Sequence, residues 1–285
     1  MTTTTPPTPR PQPRRTRPGT YLLATATVAA LVIFVSPVFW MAYSSVSPAG
    51  SIGSGRLPSL TEITVAGYRK IADFGFDRYF FNSGMIAISS AAISVTLSIL
   101  AAYALSRARF RARQTIMFGI IGSQLFPFVM LVTPLYAILG RFYLLDTEAA
   151  MIFCYVAITL PFSILMLLGH IDSVPPALDE AAEIDGCGTL TILFRIILPT
   201  VWPGVIVVFV YAFTQAWEEY LLASAFLITQ EKRTLPVALA GLFGEYTTEW
   251  DVVMSASVVA TIPTMIIFLI LQRRLVPNLA EGAVK

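Results

Sequence analysis

The chain has 285 residues, of which 56% are hydrophobic and 13% charged, with a mean hydropathy of +0.73. That is far from the half-apolar, quarter-charged balance of soluble domains, so a water-covered globule is excluded. The formal charge of +2 singles out no acidic partner, and two cysteines are too few for a disulfide scaffold.

Met1–Pro18 is rich in Thr, Pro and Arg and lacks apolar residues, so residues 1–18 are expected to be a disordered cytoplasmic tail. Residues 19–285 then hold six apolar runs, at about Tyr21–Ser45, Ser83–Ser106, Thr115–Leu139, Ala149–Gly169, Val201–Leu227 and Val252–Leu271. Each is near the roughly 20 residues that a helix needs to cross a bilayer. The first run is too long for the core of a cleavable signal peptide and has no small-x-small cleavage site, so it is expected to stay as an anchor. Ser89-Ser90-Ala91-Ala92 in the second run, and Gly119 and Ser123 in the third, are small residues that let helices approach closely in lipid. Pro127 and Pro134 predict a bent third span, since neighbours in a membrane bundle can satisfy the freed backbone groups. The expected fold class is an all-α polytopic membrane protein with six transmembrane helices and a structured loop on the cytoplasmic side.

Orientation follows from the basic residues. The Arg10–Arg17 tail, Arg107–Arg113, Arg195, Arg273, Arg274 and Lys285 fall on one side. Arg56, Arg69, Lys70, Arg78, Arg141, Lys232 and Arg233, a smaller set, fall on the other. The positive-inside rule therefore places both termini in the cytoplasm of a multi-pass protein of the cell membrane, in contact with lipid and not with nucleic acid. His170, the only histidine, falls at the cytoplasmic end of the fourth span, where a cation suits the helix dipole. Cys154 lies in that span and Cys187 in the loop after it; neither has metal-site neighbours, and a cytoplasmic thiol is expected to stay reduced.

About thirty residues, 173–199, separate the fourth and fifth spans, unusually many for packed helices, so they are expected to hold structure. Ser173-Val174-Pro175-Pro176 reads as a helix start, with Ser173 or nearby backbone as cap. Asp179, Glu180 and Glu183 fall early in that helix, where carboxylates suit the dipole. Gly186-Cys187-Gly188 gives a turn before a second helix, Leu190–Leu198, stopped by Pro199. Glu180-Ala181-Ala182, three residues, Gly186, nine residues, then Ile196-x-Leu198-Pro199 is a narrow pattern over twenty positions. It resembles the cytoplasmic coupling loop of permease subunits of ABC importers, the binding-protein-dependent inner-membrane components.

The resemblance covers about Tyr21 to Lys285 and is closest to the smaller permease of the maltose-type carbohydrate branch. It implies that Glu180, Ala181, Ala182, Asp185, Gly186, Leu198 and Pro199 form the surface that docks in a separate ATPase. It implies further that Gly282, Ala283, Val284 and Lys285, closing a cytoplasmic tail of residues 273–285, reach the ATPase dimer. Cys187 stands where relatives usually have Ala. The implied partners are a second, homologous permease, two ATPase subunits or an ATPase homodimer, and an extracytoplasmic solute-binding protein. No Gly-x-x-x-x-Gly-Lys-Ser/Thr run is present, so ATP and Mg²⁺ are expected on the partner ATPase, with no cofactor, metal or catalytic residue on this chain.

Two further segments are candidates for contact with solute or binding protein. Trp217-Glu218-Glu219 falls inside the fifth span, where a carboxylate costs roughly 2.5–3.5 kcal/mol and must face a cavity or a partner. The external connection of residues 229–251 carries Phe243, Gly244, Glu245, Tyr246 and Trp250; the same aromatics fit a role as interface anchors. The implied function is translocation of a di- or oligosaccharide, glycerol phosphodiester or related polyol solute. A permease for amino acids, peptides or anions, and a membrane glycosyltransferase using Asp185 or Glu219, stay open as alternatives.

Overall fold

The computed structural model describes residues 18–56, 58–108, 111–243 and 248–282. No strand occurs among them. Four helices are long and apolar enough to cross a membrane: α1 (Pro18–Ser45), α3 (Phe76–Arg107), α6 (Glu148–Asp172) and α13 (Trp250–Gly282). Two bent pairs complete the six. The first is α4 (Arg113–Ser123) with α5 (Val132–Arg141), bent by 96° across a 3-10 turn. In the second, Thr189–Thr200 meets α10 (Trp202–Glu218) at 83°. Shorter helices are α2 (Ala66–Asp73), α7 (Ala177–Ile184), α8 (Thr189–Ile192), α9 (Leu198–Thr200), α11 (Leu221–Phe226) and α12 (Leu235–Ala240).

The expected bend of the third span is present, but it falls at residues 124–127. Pro134 sits in the first turn of α5, where a missing N–H costs nothing. The fifth span corrects the expectation more strongly. It does not run to Leu227, because α10 ends at Glu218 and α11 restarts at Leu221. The C-terminal segment, expected as a tail from residue 273, is helical through Gly282.

The centre of the bundle is α3 packed on α6 and α10. Small residues permit this approach: Ala87, Ser90, Ala91, Ser94, Ser98 and Ala102 of α3 are all buried. The Thr159 hydroxyl of α6 donates to Ser94 Oγ at 3.0 Å, tying the two helices by a polar contact where no water competes. α1 packs mainly on α13, where Ser255 Oγ donates to the Ser45 carbonyl at 2.9 Å. The apolar window of α1 is otherwise wholly exposed within the chain, with Phe34 at 81%; such a surface requires lipid or another apolar helix over it.

At the opposite end from residue 107, loops are tied to the bundle by side chains. Asn82 Nδ2 donates to the carbonyls of Glu231 (2.9 Å) and Arg233 (3.1 Å), and Leu235 N–H donates to Ser83 Oγ at 2.7 Å. Asp146, in the left-handed region at φ 59°, accepts from the Ile228 and Thr229 amides, the Thr229 hydroxyl and Lys232 Nζ. The Thr229 hydroxyl foremost, with its amide and Lys232, holds the Asp146 carboxyl down to about 2.

Candidate functional site

The loop after α6 is built from local backbone rules. Ser173 ends α6, and its hydroxyl donates back to the His170 carbonyl at 2.6 Å. Of the two caps expected for α7, the Ser173 side chain or nearby backbone, the structure uses the backbone. That helix starts from Pro176, whose carbonyl accepts from the Asp179 (2.9 Å) and Glu180 (3.1 Å) amides. Its ring supplies the needed φ and removes an N–H that would have had no partner. α7 ends in a Schellman turn: Gly186 takes φ +80°, its amide donates to Glu183 O (3.0 Å), and the Cys187 amide donates to Ala182 O (2.9 Å).

Pro199 does not stop the next helix. Between α8 and α9 the chain widens into a π-turn over Leu193–Ile197, with the Leu198 amide reaching back to Leu193 O. In a regular α-helix the Pro199 ring would press on the Arg195 carbonyl; the wider turn relieves that pressure. The helix continues to Thr200 and breaks at Val201.

The acid that organises α7 is Asp179, which the pattern passed over. It is buried, accepting from the Tyr103 hydroxyl (2.9 Å) and from Arg107 Nε (3.1 Å) at the end of α3. Arg107 also donates through Nη2 to Val174 O at 2.9 Å. Ala182, one turn on, is buried too. The opposite face carries Leu178, Glu180, Ala181 and, at 86% exposure, Ile184, with Asp185 and Gly186 exposed at its end. Of the seven residues expected at a docking surface, Glu180, Ala181, Asp185 and Gly186 thus lie outward together. Ala182 faces the bundle, while Leu198 (half-buried) and Pro199 (exposed) belong to the irregular helix beyond.

Trp217 allowed two readings, a contact for solute or a filler of the bundle seam, and the structure packs it in the seam. Its ring stacks on Phe213 (5.7 Å) and meets Phe80 edge-on (5.3 Å), and Nε1 donates to Ala260 O at 3.1 Å. Glu218 is exposed at the end of α10. Glu219 sits in the break itself, accepting from the Tyr155 hydroxyl (2.8 Å) and from the Leu222 (2.8 Å) and Ala223 (3.1 Å) amides of α11. It borders a partly open cavity of about 550 Å³ between α4, α5, α6 and α10. Phe243 is exposed, edge-on to Trp250 at 6.3 Å. Gly244, Glu245 and Tyr246, like Ala283, Val284 and Lys285, lie outside the described residues; Gly282 is the last described residue of α13. No cluster of His, Cys, Asp and Glu suited to a metal occurs among the described residues.

Four helices long enough to cross a membrane, two bent pairs that bring the number to six when each is one span, and a short helix α7 pinned to the end of α3 make up an all-helical membrane bundle. The profile of the binding-protein-dependent transport system inner membrane components matches residues 94–281, and this chain belongs to that family. It is 35% identical to the sulfoquinovosyl glycerol transport system permease SmoH of Agrobacterium fabrum, over 90% of this chain and 92% of the other. It is 34% identical to the trehalose/maltose transport system permease MalG of Thermococcus litoralis, over 93% and 96%. The fold matches a chain of a bacterial ABC transporter that imports alginate, with a TM-score of 0.81 at 22% identity, covering 94% of this chain and all of that one. The protein is therefore a multi-pass permease subunit of an ABC importer that works with a solute-binding protein, and not an enzyme.

Proposed function

We propose that the chain translocates a carbohydrate, a di- or oligosaccharide or related polyol solute, as the smaller of two permeases. Its partners are a homologous permease and two ATPase subunits, which bind the ATP and Mg²⁺ that this chain does not. Both termini lie in the cytoplasm, in line with the basic residues clustered around Arg107 and Arg113 at the α7 end of the bundle. The sugar reading is supported by the solutes named for its relatives, sulfoquinovosyl glycerol and trehalose/maltose.

The observation that carries the coupling role is Ile184, an apolar side chain 86% exposed on a helix whose other face is held by Asp179. An exposed apolar residue on a pinned helix, flanked by Glu180 and Asp185, fits a cleft on the ATPase. Rigid attachment lets movement of α7 pass into α3. Ile184→Cys carrying a photoreactive maleimide, in the assembled importer, is expected to cross-link to the ATPase subunit. Cross-linking only to lipid or to the partner permease removes this assignment.

A further inference from the structure

We infer that residues 189–202 form an in-plane anchor that rests on the cytoplasmic leaflet and reads its negative charge, so that coupling depends on anionic lipid; this rests on the cytoplasmic placing of α7 above. The bend sets its attitude. Thr189–Thr200 meets α10 at 83°, and α10 is the long apolar part of that pair, so when α10 crosses the membrane the shorter arm lies close to its plane. One side of the arm belongs to the bundle, with Ile192, Leu193 and Ile197 buried in one cluster with Leu105, Leu167 and Ile171 of α3 and α6. The other side is apolar too. Leu190 and Phe194, one helical turn apart, are exposed, as is Trp202 at the corner. A helix that is apolar on two sides needs a second apolar cover.

Charge decides what that cover is. Arg195 is the sole charged residue between Asp185 and Glu218. It is exposed beside Phe194 and makes no ion pair among the described residues. α7 is the reverse, because its outward side carries Glu180, Glu183 and, at its end, Asp185. An anionic leaflet repels that side and attracts Arg195, so the two halves of the loop divide their partners, α7 facing protein and 189–202 facing lipid. Arg111, exposed in the α3–α4 connection at the same end of the bundle, adds to the attraction. The indole of Trp202 settles at headgroup level, with its ring toward the acyl boundary and its N–H toward water. Leu190 and Phe194 dip to that boundary while Arg195 extends to the phosphates. Since the arm joins the 186–188 turn to α10, its seating fixes the pivot about which α7 moves that span.

The test uses the assembled importer, with its partner permease, ATPase and binding protein, in nanodiscs of phosphatidylcholine containing a rising fraction of phosphatidylglycerol. A single nitroxide is placed at Leu190→Cys or Phe194→Cys, with Cys154 and Cys187 replaced by Ala. Either label is expected to be relaxed by oxygen, which partitions into hydrocarbon, and shielded from a water-soluble nickel chelate. Relaxation by the nickel chelate overturns the anchor, and shielding from both reagents, which means that the ATPase or the partner permease covers this side, overturns it equally. The phosphatidylglycerol fraction that gives half-maximal ATPase activity in the presence of binding protein is expected to rise by up to roughly fivefold in Arg195→Gln and to return in Arg195→Lys. The same fraction in wild type and Arg195→Gln, or wild-type activity indifferent to phosphatidylglycerol, overturns the reading of charge. Labelling of Glu183→Cys by a membrane-impermeant maleimide from outside right-side-out vesicles overturns the cytoplasmic placing of α7, and the anchor with it.

Discussion

Arg107 at the end of α3 and Asp179 in the first turn of α7 form a largely buried ion pair at 3.1 Å, with side chains 16% and 10% exposed. The other ion pairs among the described residues, Arg56–Glu62, Lys70–Glu249 and Lys232–Asp146, are more exposed. Exposed pairs contribute about 0–1 kcal/mol, whereas breaking a buried one leaves a charge without its counter-charge. The α3–α7 joint is therefore the ion pair whose loss is felt most, and it sits where α7 must transmit movement.

Arg107→Ala is expected to destabilise the protein by up to about 3 kcal/mol, because Asp179 keeps only the Tyr103 hydroxyl. Solute-stimulated ATPase activity should fall with it. Thermal unfolding of Arg107→Ala, Asp179→Ala and the double variant measures the pair as a cycle. Additive effects would mean that the two side chains act independently.

Gly186 has open space where a Cβ would stand, so its replacement meets only backbone strain at φ +80°. Gly186→Ala should cost about 1–2 kcal/mol, and Gly186→Asn less, since Asn tolerates the left-handed region. Glu180→Lys, on the exposed face of α7, should instead leave thermal stability within about 0.5 kcal/mol of wild type. It should lower solute-stimulated ATPase activity with membrane insertion intact. Wild-type stimulation in Glu180→Lys would remove Glu180 from the docking surface.

Gly204 stands at the start of α10, just past the 83° bend, where a Cβ would lie 2.5 Å from the His170 ring. Gly204→Ala is expected to cost about 1–3 kcal/mol through overpacking. His170→Ala in the same chain should recover most of it. Equal unfolding midpoints for wild type and Gly204→Ala would show that the ring moves aside freely.

The Asp146 carboxyl is held down to about 2 from an ordinary 3.8. A depressed acid contributes stability that is present above its unfolded value and lost as pH falls through its folded one, so this contribution should fade between about pH 4 and pH 2. Asp146→Asn should flatten that part of the stability profile. Asp146→Ala should also speed amide exchange at Ile228 and Thr229, whose N–H groups lose their acceptor. Unchanged exchange there would mean that the 227–233 segment is held by its other contacts.

The six crossings, the bend in the third and the helix–turn–helix after the fourth were legible in the chain itself. Length and apolarity decide whether a segment can leave water, and Pro and Gly act through their own φ preferences wherever they stand, as Pro127 and Gly186 do. What needed tertiary structure was the sorting of similar residues. Asp179 and Glu180 are adjacent acids in one helical turn, but only Asp179 meets Arg107 and Tyr103 of α3, so it turns inward and Glu180 outward. Trp217 and Glu219 are two residues apart, yet one fills a seam against Phe80 and Phe213 while the other ends a helix beside a cavity. A break at Glu219 has no proline or glycine to announce it. It exists because the carboxylate accepts the first amides of α11 and the Tyr155 hydroxyl of α6, and a partner 64 positions away in the chain is fixed only when the helices pack.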